Sequence, residues 1–95
     1  MLTFILKKEW YEKIKSGEKT VEYREVTPYW RTRLYNAFII LAPKEKPICV
    51  LRLGYTKQYM TAKISKINIV DGKETDLHID SRVYAIHLSE IKECN

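Results

Sequence analysis

The residues best suited to chemistry stand within eight positions of one another: Gly17, Lys19, Glu22 and Arg24, in the order G-x-K-x-x-E-x-R. An ammonium, a carboxylate and a guanidinium so close together form a mutually paired network when part-buried, because a buried charge without a partner is costly. Beside a hollow, such a network grips a phosphate through its cations and reads a base amino group through its carboxylate. Away from a hollow it is a salt-bridge cluster closing a wall. Both readings stand on the residues alone. On a flat strand Glu22 and Arg24 share a face, while Lys19 and Glu22 point to opposite faces. Lys19 joins the other two only if the chain near it is still leaving the preceding helix.

Aromatic residues supply the second signal. Tyr23, Tyr29, Trp30, Tyr35, Tyr55 and Tyr59 are interleaved with Arg24, Arg31, Arg33, Arg52 and Lys57. Stacking surfaces beside cations are what unpaired or flipped-out bases need. Tyr29 and Trp30, which follow Pro28, and Tyr55, next to Gly54, are the candidate stacking residues; Arg33 and Arg52 are the candidate phosphate contacts. Filling of a small core and its rim is the alternative, and it accounts for Trp10, Tyr11, Tyr84 and the two phenylalanines. His78 and His87 lack metal-ligand spacing, so no metal and no cofactor is expected. Cys49 lies in an apolar run and reads as core. Glu74 and Asp76 fall in an acidic loop and read as solvated surface.

The chain has 95 residues, 45% hydrophobic and 31% charged, so residues 1–95 read as a single domain with one modest core. The net charge of +5 is uneven: residues 1–33 carry +3, residues 34–70 carry +5 and residues 71–95 carry −3. A basic middle suits a polyanionic partner such as RNA, or serves solubility alone. Its polarity against the acidic last quarter also admits a protein-interaction module. No apolar run approaches the roughly 20 residues of a spanning helix, so no membrane association is expected. The lysines follow the first apolar stretch, which is the wrong order for a secretory signal. With two unclustered cysteines, a cytoplasmic location is expected.

Periodicity predicts a strand over 2–6 buried on both faces, a helix over 8–16 stopped by Gly17, and a charged strand in EKTVEYREV. Thr27 as cap and Pro28 as first helical residue predict a short helical turn in PYWRTRLY. Strands follow at 37–42, 48–55, 59–70 and 82–91. A parity switch in the third of these predicts a bulge. A charged turn occupies 43–47, and 71–80 is an acidic turn with a short helix from Glu74. The expected fold is a small α+β barrel of about five or six strands, with one N-terminal helix and one or two short helical turns. An open antiparallel sheet with a helix on one face is the alternative.

The stretch from Ile14 to Leu34 resembles the ASCH family, the activating-signal-cointegrator homology domains of the PUA-like superfamily. The resemblance rests on Gly17, Lys19, Glu22 and Arg24, on the opening LTFIL, and on the helix carrying Trp10 and Ile14. TPYWRTRL is similar to compact stand-alone bacterial or phage members. The resemblance implies a PUA-like barrel that binds RNA or a modified nucleotide. It implies a ligand site at Lys19, Glu22 and Arg24, flanked by Tyr29, Trp30, Arg33, Arg52 and Tyr55. It also implies an alternative. One compact branch is an amidohydrolase on N-acetylated cytidine, using a lysine, a threonine and a distant glutamate, and ribonuclease activity occurs in another. Lys19 matches that lysine, making Lys19 and Glu22 the catalytic candidates. Glu22 stands where the threonine would be, and Thr20 lies two residues earlier. The distant glutamate has no clear match beyond Glu74.

Overall fold

The computed structural model describes residues 2–37 and 46–94. The first strand, β1 (Leu2–Leu6), buries Leu2, Phe4 and Leu6, while Thr3 and Ile5 are half-buried. It therefore has one core face, not the two expected. Helix α1 (Lys8–Lys15) buries Tyr11 and Ile14, with Glu9 in its first turn and Lys13 and Lys15 in its last, the charge order that suits a helix dipole. Gly17 ends it with φ +85°, a left-handed conformation that glycine adopts without a Cβ penalty. Strand β2 (Val21–Glu25) follows. Thr27 then caps α2 (Pro28–Tyr35), its Oγ1 accepting from the Trp30 amide at 3.2 Å. Where a short turn was expected, α2 is an eight-residue helix.

Strand β3 (Ile48–Leu53) leads to two long strands, β4 (Tyr59–Asp71) and β5 (Arg82–Cys94). A 3-10 turn at Gly72–Glu74 follows β4 and ends at the position from which a short helix was expected. The strand expected at 37–42 and the turn expected at 43–47 lie outside the described residues, except for Ala37, Lys46 and Pro47.

The five strands form one sheet in the order β1-β3-β4-β5-β2, curled into a half-barrel. Among the described residues, only β1 and β3 run parallel. The β4–β5 ribbon slips register between Thr61 and Lys63 and between Ile64 and Lys66. The second slip is the parity switch read in the sequence. The first accompanies Glu90, which takes a left-handed φ of +51°. Each bulge sharpens the local twist, so the two long strands wrap around the core. Phe4, Tyr11, Ile14, Leu51, Met60, Ile64 and Ile86 fill that core. Among the described residues, no helix is long and apolar enough to cross a membrane.

Cys49 is fully buried, and the loss of solvent pushes its thiol pKa up to about 12. Burial also raises that of Tyr11. Both groups stay neutral in the folded chain after they have begun to ionise in the unfolded one. The stability that the Cys49 thiol contributes is complete below its unfolded value of 9.0 and is lost as pH rises towards 12, and Tyr11 adds a loss of the same sign. The urea midpoint is therefore expected to fall between pH 9 and pH 11, and to fall less in Cys49→Ala. A midpoint unchanged over that range would contradict this account.

Candidate functional site

Lys19 is still attached to the helix that precedes it. Its amide donates to the Lys13 carbonyl at 3.0 Å, so β2 starts only at Val21. Relieved of strand parity, its side chain swings to the same side as Glu22. The Lys19 ammonium lies 3.8 Å from Glu22 Oε1 and donates to Asp76 Oδ2. It also sits 5.0 Å from the Trp10 ring centre and 4.9 Å from that of Tyr23. Two carboxylates and two aromatic faces thus replace its water, and the side chain is 9% exposed.

Glu22 and Arg24 meet on one face, as their parity requires. Arg24 Nη2 donates to Glu22 Oε2 at 2.9 Å and to the Ile5 carbonyl of β1 at 3.0 Å. Glu22 Oε1 accepts from the Tyr23 amide at 3.1 Å. Hydrogen-bonded pairs alternate along an antiparallel ladder. The Leu88 amide donates to the Thr20 carbonyl, so Glu22 and Arg24 turn their backbones towards β5 and Tyr23 turns its amide away. The carboxylate therefore caps a backbone amide that the ladder leaves over, and the guanidinium reaches across to a carbonyl of β1. Among the described residues, β1 and β2 are the two ends of the sheet. The hydrogen bond from Arg24 to Ile5 ties one end to the other.

The pair also faces a hollow. A cavity of about 480 Å³ is walled by Ile5, Trp10, Tyr23, Tyr29, Trp30 and Leu77, with Glu22, Arg24 and Asp76 among its polar groups. Trp30 stacks on Phe4 at 5.1 Å, and Tyr29 meets Trp30 edge-on at 4.9 Å. Arg24 packs against both Phe4 and Trp30. Arg33 lies over the outer face of Tyr29 at 3.4 Å and donates to the Tyr29 carbonyl. The structure thus brings Lys19, Glu22, Arg24, Tyr29, Trp30 and Arg33 to one region.

Arg52 and Tyr55 lie elsewhere. Arg52 donates to the Thr56 carbonyl in the β3–β4 turn, Tyr55 is 95% exposed in that turn, and neither lines the cavity. Lys46, Lys57, Lys63 and Lys66 of the basic middle segment do not line it either. Two residues of the region were read otherwise in the sequence. Asp76, assigned to solvated surface, is the partner of Lys19 across a 57-residue separation. Trp10, assigned to core or rim, stands in the cavity wall because Tyr11 and Ile14 take the core side of α1. An aromatic pair at consecutive helix positions was the available signal for Trp10, since neighbours 100° apart cannot share a narrow core stripe. Nothing in the acidic loop distinguishes Asp76 from Asp71, Glu74 or Asp80.

Asp76 is held by the turn before it. Gly72 donates its amide to the Ser81 carbonyl at 2.7 Å, and its own carbonyl accepts from Thr75 Oγ1 at 2.8 Å and from the Ile79 amide at 3.3 Å. Among the described residues, no three His, Cys, Asp or Glu side chains gather so as to hold a metal ion. No family model matches the chain, and searches of curated proteins and of solved structures return no match either.

Proposed function

We propose that this chain is an ASCH-type, PUA-like domain that binds the base of an RNA or modified nucleotide between β1, β2 and α2. The observation that carries this reading is the aromatic cavity of about 480 Å³ with the part-buried Glu22–Arg24 pair in its wall. That volume lies within the range of small-molecule sites, and few-polar, mostly apolar walls are their usual construction. Trp30 and Tyr29 offer stacking faces. Glu22 keeps lone pairs beyond those used by Arg24 and the Tyr23 amide, and these suit an exocyclic amino group. Lys19 is neutralised by Glu22 and Asp76, so it is not a phosphate contact. Lys7 at the cavity and Arg31 and Arg33 on α2 take that role in an RNA strand.

Trp10 and Trp30 are the chain's two tryptophans, and both line the cavity, so intrinsic fluorescence reports binding directly. Titration with cytidine, adenosine and guanosine is expected to quench it, with uridine, which lacks an amino group, weaker. Trp30→Ala is expected to weaken binding about 5- to 150-fold, the worth of one base–aromatic stack, and Trp30→Phe to restore most of it. An absence of quenching by all four nucleosides and by short single-stranded RNA at low salt would overturn the reading.

A second reading, hydrolysis of an acylated cytidine, draws on one observation: Asp76 brings an acid from a distant segment to Lys19. The resemblance calls for a lysine, a threonine and a distant glutamate; here the distant acid is an aspartate and Glu22 stands in the threonine's place. In this reading water adds to the amide carbonyl, and the products are acetate and cytidine. Incubation with N4-acetylcytidine, and with RNA with and without manganese, separates the two readings. Turnover abolished by Glu22→Gln supports hydrolysis, and no product in any reaction rejects it.

A further inference from the structure

A second hollow of about 460 Å³ adjoins the first, and Trp10, Tyr23 and Asp76 belong to the walls of both. The Lys19 side chain stands at the partition. The second hollow differs in chemistry. Its rim carries Lys13 and Lys19 against Glu18, Glu74 and Asp76, and Thr20 is part of the same wall. Lys19 is already committed to Asp76 and Glu22. Lys13 lies over the Trp10 ring at 5.2 Å. Glu18 and Glu74 are exposed and have no cationic partner among the described residues. A phosphate there would face excess carboxylate and be repelled. A neutral group rich in hydroxyls fits instead: its O–H groups donate to the carboxylates, its oxygens accept from Lys13, and its C–H faces rest on Trp10 and Tyr23.

We propose that this second hollow is a ribose subsite, in which Glu74 and Glu18 accept from the sugar hydroxyls of the nucleotide whose base lies in the first cavity. The proposal rests on the base-binding reading and adds to it a preference for RNA over DNA. Carboxylates reading a ribose 2′-hydroxyl are the chemistry by which such sites tell the two sugars apart.

The test is fluorescence titration of the wild type with cytidine and 2′-deoxycytidine, and with adenosine and 2′-deoxyadenosine. The ribonucleoside is expected to bind about tenfold tighter or more, as hydrogen bonds to charged acceptors allow. Glu74→Gln and Glu18→Gln, at exposed positions where folding is not at stake, are expected to bring that ratio towards one when combined. Equal affinity for the two sugars in the wild type, with binding measurable, overturns the ribose subsite and leaves the base site standing. A ratio that survives both substitutions overturns it as well. No binding by any nucleoside removes the base site, and the ribose subsite with it.

Discussion

Replacing Arg24 by alanine is expected to lower the unfolding free energy by about 3 kcal/mol, the lower end of what removing one partner of a buried ion pair costs. The Arg24 side chain is 22% exposed and Glu22 only 8%. Without the guanidinium, Glu22 would keep Lys19 at 3.8 Å and the Tyr23 amide, and the Ile5 carbonyl would lose its donor. The lower end applies for two reasons. Arg24 is not fully desolvated, and its Nε is buried with no partner among the described residues, which already offsets part of the gain. For a small domain holding about 5–15 kcal/mol in all, the loss is large. Arg24→Lys is expected to recover only part of it, because an ammonium cannot reproduce a planar fork packed against Phe4 and Trp30. Urea denaturation followed by circular dichroism measures both. In the double variant Glu22→Ala/Arg24→Ala the losses should be markedly less than additive. A loss below about 0.5 kcal/mol for Arg24→Ala would make the pair an ordinary surface contact.

Gly72→Ala is expected to cost about 2–3 kcal/mol and to disturb the cleft as well. A Cβ at this position would stand 2.5 Å from the Ser81 carbonyl oxygen, 2.7 Å from Ile79 Cγ1 and 2.8 Å from the Ile79 carbonyl oxygen. Two of these atoms are backbone, so the loop has to move, and overpacking of this kind typically costs 1–3 kcal/mol. The same loop presents Asp76 to Lys19. Nucleoside binding should therefore weaken in Gly72→Ala even under conditions where the domain remains folded. A control, Lys73→Ala, touches only the exposed pair with Asp80 and is expected to change stability by less than about 0.5 kcal/mol. Wild-type stability in Gly72→Ala would show that the loop relaxes freely and is not what positions Asp76.

The two predictions separate what the Glu22–Arg24 pair does for the fold from what the Lys19–Asp76 pair does for the cleft. Glu22 and Arg24 line a cavity, and Arg24 braces the sheet at the same time. The alternatives left open by the residues, cleft or wall, are therefore not exclusive: Arg24 closes the seam through its bond to Ile5, and the carboxylate paired with it stands in the wall of the hollow.

Much of this was legible along the chain because it depends on near neighbours. The end of α1 at Gly17, the cap at Thr27, the proline that starts α2 and the bulge in β4 are all decided within a few residues, where backbone conformation and local hydrogen bonding are settled. So was the meeting of Glu22 with Arg24, which period two dictates, and the condition on Lys19, which the attachment to Lys13 meets. Arg52 and Tyr55 lie away from the cavity, which the sequence could not tell, because composition ranks a cationic or aromatic residue by type. Only the path of β3 decides that its far end points away from the cleft. Asp76 and Trp10 became part of the cleft through packing: a loop pinned by Gly72 closes over a helix whose core stripe is taken by Tyr11 and Ile14. Sequence alone determined the end of α1, the capped start of α2 and the pairing within the motif strand, because those interactions span few bonds. Tertiary structure alone decided which acid neutralises Lys19, because contacts across dozens of residues are chosen by the shape of the whole core and leave no periodic trace in the chain.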